Sequence, residues 1–152
     1  MLQVLFVAFF LICLAYHIYT DMREFLLYDV VSGGLLIVGC TYAYLYGNVW
    51  QSLLGALCFG GSMLLLYIFS RGGMGEGDVK LSFVLGVWLG VIPSLVCLAL
   101  AFSLGGLWAI SLLLWRGKKG DERLPFGPFL CLGGAIALFY GRQIASFYLS
   151  YF

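Results

Sequence analysis

Six apolar stretches, parted by short polar or turn-forming breaks, divide this chain from end to end. The first covers residues 2–20 and stops at Asp21. The second covers residues 30–46, where Gly47 and Asn48 break it, and the third covers residues 50–70. The fourth starts at Asp78 and runs to Ile92, before Pro93. The fifth covers residues 94–115, and the sixth starts at Pro128 and continues toward the C-terminus. A membrane-spanning helix needs about 20 apolar residues, with a range of about 17–25. The pattern therefore predicts an all-α polytopic membrane protein, a bundle of about six transmembrane helices in one domain over residues 1–152. The first stretch has neither the basic start nor the small-residue cleavage site of a signal peptide, so it reads as a retained helix. The fourth is short for a crossing. Either the glycine-rich residues 72–77 dip into the membrane plane or the helix meets a thinned bilayer. Irregular backbone at that depth needs protein or a water-filled cavity around it.

Composition agrees with the pattern. Hydrophobic residues make up 63% of the chain and charged residues 10%, against about 25% charged in an ordinary soluble domain. The net charge of +1 is uninformative here, but no basic stripe could follow a phosphate backbone, so no nucleic-acid partner is expected. The loops after the first, third and fifth stretches, with their edges, carry Arg23, Arg71, Lys80, Arg116, Lys118, Lys119 and Arg123, whereas the other side has Arg142 alone. The positive-inside rule then places those loops in the cytoplasm and both termini outside it, in the cytoplasmic (inner) membrane. All seven acidic residues fall on the same cytoplasmic side. Trp50 and Trp115 lie at the outer and inner boundaries, where interfacial aromatic belts form. Cys13, Cys40, Cys58, Cys97 and Cys131 all lie in apolar stretches without a Cys-x-x-Cys pair. They read as packing residues, and no metal site is expected.

The candidate chemistry rests on Asp21 and Asp78. An ionisable residue at a membrane segment is costly and marks a functional site by default. Two carboxyls brought together in a low-dielectric site share one proton. The ionised member can then take a proton from water while the protonated member polarises a carbonyl, as in aspartic proteases. The plainer alternative is a pair of ordinary charges capping helix ends. Gly75 and Gly77 flank Glu76, which allows a tight bend and a close approach to another chain. Gly75, Glu76, Gly77 and Lys80 are thus candidate substrate-contacting residues. Lys80 would tune the local potential or snorkel to lipid phosphate. Glu76 is expected to face the cytoplasm, and Asp29 to serve as a helix N-terminal charge. His17 lies four residues before Asp21 on one helix face, and pairing with a neighbouring helix is favoured over a helper role. No Gly-x-Ser-x-Gly elbow is present.

Three runs of residues carry a resemblance. One is Gly73, Met74, Gly75, Glu76, Gly77, Asp78, Val79, Lys80 and Leu81, continued by Gly86, Trp88, Leu89 and Gly90. In the second, Asp21 is followed by Leu26, Leu27, Tyr28 and Asp29. The third is Leu124, Pro125, Phe126, Gly127, Pro128 and Phe129. Together they resemble the type IV prepilin peptidase family, the membrane aspartic peptidases of the GxGD kind. The resemblance implies that Asp21 and Asp78 are the catalytic pair. It also implies a prepilin or pseudopilin substrate, cut at the cytoplasmic boundary of the bilayer between its basic leader and its apolar helix. Many members have Pro where this chain has Tyr28. Bifunctional members carry an extra cytoplasmic domain, often with paired Cys-x-x-Cys motifs, linked to N-methylation. This chain shows neither, so cleavage without methylation is expected, with no zinc and no S-adenosylmethionine cofactor. The alternative is a non-enzymatic transporter or a pilus or secretion assembly factor. A transporter would be expected to place acids or unwound helices near the bilayer midplane.

Overall fold

A computed structural model describes residues 1–70, 73–116 and 125–151. Six helices follow one another: α1 (Leu2–Glu24), α2 (Asp29–Leu45), α3 (Val49–Phe69), α4 (Glu76–Leu89), α5 (Val91–Arg116) and α6 (Gly127–Leu149). Arg71, Lys118, Lys119, Asp121, Glu122, Arg123 and Leu124, which figure in the charge map or the third motif, lie outside the described residues. Among the described residues, α1, α3, α5 and α6 are long and apolar enough to cross a membrane. With 17 and 14 residues, α2 and α4 fall short of that. The six expected spans are thus four full-length spanning helices and two shorter ones.

The short fourth stretch has a simple explanation. At 1.5 Å per residue α4 is about 21 Å long, against about 30 Å of hydrocarbon. It is the central helix, packed against α2, α3, α5 and α6, and ten of its 14 residues are buried. Neighbouring helices surround it, so it has no thickness of lipid to match. Small residues permit this closeness, as they do generally between membrane helices. A Cβ on Gly86 would stand 2.5 Å from the Gly55 carbonyl oxygen, so the α3 and α4 backbones touch. Trp88 joins three helices. Its ring centroid lies 4.8 Å from that of Phe10 on α1, and its Nε1 donates to the Leu35 carbonyl on α2 at 2.9 Å. Gly39 makes room for the indole, which would otherwise lie 2.5 Å from a Cβ.

Two boundaries differ from the sequence reading. The break between the fourth and fifth stretches falls at Gly90, whose φ of +72° is the left-handed conformation that glycine adopts freely. Pro93 lies in the first turn of α5, where its missing N–H has no helical partner to lose. At the other end of the bundle, α1 continues through the charged residues to Glu24 and closes on Phe25 at φ 53°. A helix does not have to stop where the hydrocarbon does.

α1 ends beside the start of α6, and α6 then runs back, so Met1 and Leu149 share the far end of the bundle. The turn between α2 and α3 and the junction at Gly90 lie at that far end with Arg142. Trp50 and Trp115, at opposite helix ends, are both exposed.

Candidate active site

Three helix ends build the site. Asp21 occupies the last turn of α1, where its carbonyl accepts the Phe25 N–H at 3.1 Å. That end of a helix is electronegative, so a carboxylate there caps nothing. Asp21 is nevertheless only 6% exposed, and its Oδ2 is buried with no hydrogen-bond partner among the described residues. Asp78 is 7% exposed. It is the third residue of α4, at the electropositive end of that helix, and its carboxylate lies back against the N-cap Gly75, where a Cβ would stand 3.3 Å from Oδ2. The helix-capping alternative therefore accounts for part of Asp78 and none of Asp21. The two carboxyls are near enough for the charge of one to act on the other.

The third helix end is the start of α6. Gly127 packs against the Asp21 carboxylate. A Cβ on Gly127 would stand 2.5 Å from Asp21 Oδ2. The electropositive end of α6 therefore faces the acid that the end of α1 opposes. Pro128 in the first turn of α6 has a fixed φ suited to opening a helix.

Asp21 and Asp78 open into one cavity of about 300 Å³. Its lining includes Gly75, Glu76, Gly77 and Lys80, together with Asp29 and the α1–α2 connection from Phe25 to Leu27. The six residues expected at the site from the sequence are thus brought together. The space is enough for several waters at about 30 Å³ each.

The glycines act differently from the expectation. Gly75 has φ −73° and ψ 140°, a conformation open to any residue. Glu76 and Gly77 are the first two residues of α4 rather than loop, because a glutamate in the first turn suits the electropositive helix end. Gly77 leaves space for a close neighbour: a Cβ there would lie 3.0 Å from Leu27 Cβ. The close approach comes from this chain's own α1–α2 connection.

At the rim, Lys80 Nζ donates to both oxygens of Asp29, at 3.0 and 2.8 Å. Lys80 therefore has a specific partner at the start of α2, and both side chains are exposed. Glu76 is exposed and accepts the Tyr67 hydroxyl at 3.2 Å. Tyr28 donates to Glu24 at 2.7 Å, and that hydrogen bond raises the phenol's pKa above its usual value. His17 is fully buried, one turn deeper than Asp21, with Nε2 3.3 Å from Ser32 Oγ of α2. It pairs with the neighbouring helix. Among the described residues no three His, Cys, Asp or Glu side chains cluster so as to hold a metal ion.

Sequence reasoning did not place Gly127 or Leu27 against the acids. The Gly-Pro pair opening the last apolar stretch was a usable signal for Gly127. Nothing in the spacing pointed to Leu27.

This chain belongs to the type IV leader peptidase family, whose model matches residues 8–110. That span holds both aspartates. The chain is 33% identical to a prepilin leader peptidase/N-methyltransferase of Legionella pneumophila over 159 aligned residues, covering 99% of this chain and 55% of that protein. A protein of the same name from Burkholderia pseudomallei strain 1026b is 38% identical, covering 85% of this chain and 43% of its own length. One from Pseudomonas aeruginosa is 33% identical, with 86% and 48% covered. The chain spans about half the length of the curated relatives it matches. No solved structure matches it. Its long apolar helices and its family place it in the inner membrane as a multi-pass protein.

Proposed function

We propose that this protein is an aspartic endopeptidase that removes the basic leader of a prepilin or pseudopilin at the cytoplasmic membrane boundary, with Asp21 and Asp78 as its catalytic pair. The observation that carries the reading is Asp21 itself: a buried carboxyl at the wrong end of a helix for capping, with one oxygen unpaired among the described residues, sharing a cavity with a second buried carboxyl. Such a placement costs stability, and functional sites are where such costs are retained.

In this mechanism the pair holds one proton between them. The ionised carboxylate takes a proton from a water as the water oxygen attacks the scissile carbonyl carbon. The protonated carboxyl gives its proton to the carbonyl oxygen. The tetrahedral intermediate then collapses and the C–N bond breaks: the leaving nitrogen receives the proton taken from water, and a hydroxyl of the intermediate returns its proton to the other carboxylate, which leaves the pair with one proton again. The scissile peptide must enter unwound, since a helix keeps its carbonyls in hydrogen bonds. The extended backbone at Gly75, beside the cavity, is a site where it can pair.

Asp21, Glu24, Asp29, Glu76 and Asp78 lie at this end of the bundle with Arg23 and Lys80, and Lys80 is engaged by Asp29. With that end in the cytoplasm, both termini lie outside it. The same one-ended distribution disfavours a transporter, which would place acids near the midplane. Within this chain no Cys-x-x-Cys pair accompanies the site, and we assign it cleavage without N-methylation.

The test is co-expression with a prepilin, followed by the mass of the product's N-terminus. Wild-type protein should release a mature, unmethylated chain, and Asp78→Asn should leave the leader attached. A methylated product would remove the single-activity assignment. An uncut prepilin with the wild type, across several prepilins, would remove the peptidase assignment.

A further inference from the structure

We infer that the end of the bundle opposite the carboxylates holds one anionic phospholipid, its phosphate against Arg142 and an acyl chain in the groove between α5 and α6. Because α4 stops at Gly90, a polar recess of about 270 Å³ remains above it, lined among others by Asn48, Gln51, Ser52 and Arg142. Beside the recess opens an apolar groove of about 880 Å³, lined by Leu95, Val96, Ala99 and Leu100 of α5 and by Ile144 of α6. Gln51, Leu89, Gly90, Pro93 and Arg142 line both spaces. A head-sized polar recess and a tail-sized apolar groove thus meet at one guanidinium.

Length and charge favour a lipid. The groove runs from Val91 to Ser103, about 18 Å at 1.5 Å per residue. One leaflet of hydrocarbon is about 15 Å deep. Arg142 sits seven residues before the end of α6, about 10 Å from it, a depth from which its head reaches the interface. Every described acid lies at the other end of the bundle, and the one ion pair among the described residues is Lys80–Asp29. Arg142 therefore lines an apolar groove with no carboxylate partner among the described residues. A phosphodiester supplies an anion as two oxygens that match the planar fork of a guanidinium. The inference rests on the far end of the bundle and holds whether or not Asp21 and Asp78 cleave peptides.

The test uses the full chain, stripped of lipid in detergent and mixed with equimolar phosphatidylglycerol and phosphatidylcholine of the same acyl chains. Native mass spectrometry reads which lipid stays bound. Wild-type protein should retain one phosphatidylglycerol in preference. Arg142→Gln should weaken that retention about fivefold, the worth of one cation at an anionic head, and leave phosphatidylcholine unchanged. Arg142→Lys should keep most of the preference. Ala99→Phe, which fills the groove, should lower retention of both lipids. Glycerol phosphate, which has the head and no tail, should not displace the lipid. Equal retention of the two lipids by wild type, unchanged preference in Arg142→Gln, or efficient displacement by glycerol phosphate would each overturn the assignment.

Discussion

Gly127→Ala separates the chemistry of the site from the stability of the bundle. The added methyl would stand 2.5 Å from Asp21 Oδ2, about 1 Å short of an ordinary contact. Either the carboxylate or the start of α6 must recede by that amount. A 1 Å misplacement of a reacting group costs about 100-fold in rate. Overpacking costs about 1–3 kcal/mol. The variant should therefore fold with a loss of about 1–3 kcal/mol and cleave about 100-fold more slowly. Single-turnover cleavage of a prepilin leader, alongside thermal unfolding in detergent, measures both. A variant that cleaves at close to the wild-type rate would refute the view that α6 holds Asp21 in position.

Gly86→Ala has the opposite character. Its methyl meets the α3 backbone at Gly55 and Ala56 rather than a side chain, so no rotamer relieves it, and aggregation on size-exclusion chromatography is expected; a monodisperse variant with wild-type unfolding would contradict the backbone contact. Tyr28→Pro should leave the unfolding temperature unchanged, because Tyr28 already has φ −72°, close to proline's fixed value, and the lost hydroxyl bond to Glu24 is exposed; a fall of several degrees would count against this. For His17 and Ser32, a double-mutant cycle in unfolding free energy should give a coupling of about 0.6 kcal/mol, the average for side-chain bonds between membrane helices. Coupling that appears in the cleavage rate and not in stability would instead give His17 a part in the site.

The six helices were legible because charge, glycine, asparagine or proline parts one apolar stretch from the next, and all lie within a few residues of their expected positions. What the pattern could not give was depth. Residues 78–92 look like a truncated span by length, and only the packing of α2, α3, α5 and α6 shows α4 to be an interior helix. Helix ends were misjudged where polarity stood in for backbone geometry. α1 runs past Asp21, and Gly90 rather than Pro93 parts α4 from α5. At the site, Asp21, Asp78 and their glycines were readable as costly residues in an apolar chain. Their arrangement was not, because Gly127 lies 106 positions from Asp21 in sequence, and only the return of α6 brings it to the carboxylate. Lys80 reads as a free surface cation until α2 brings Asp29 to it.

The central claim is that Asp21 and Asp78 act as one catalytic unit. It is tested most directly by the leader-cleavage rates of Asp21→Asn, Asp78→Asn and the double variant, each shown to be folded. Groups acting as a unit are grossly non-additive, so each single variant should fall to the residual rate of the double. Cleavage retained by either single variant, or losses that add in the double, would contradict the pair.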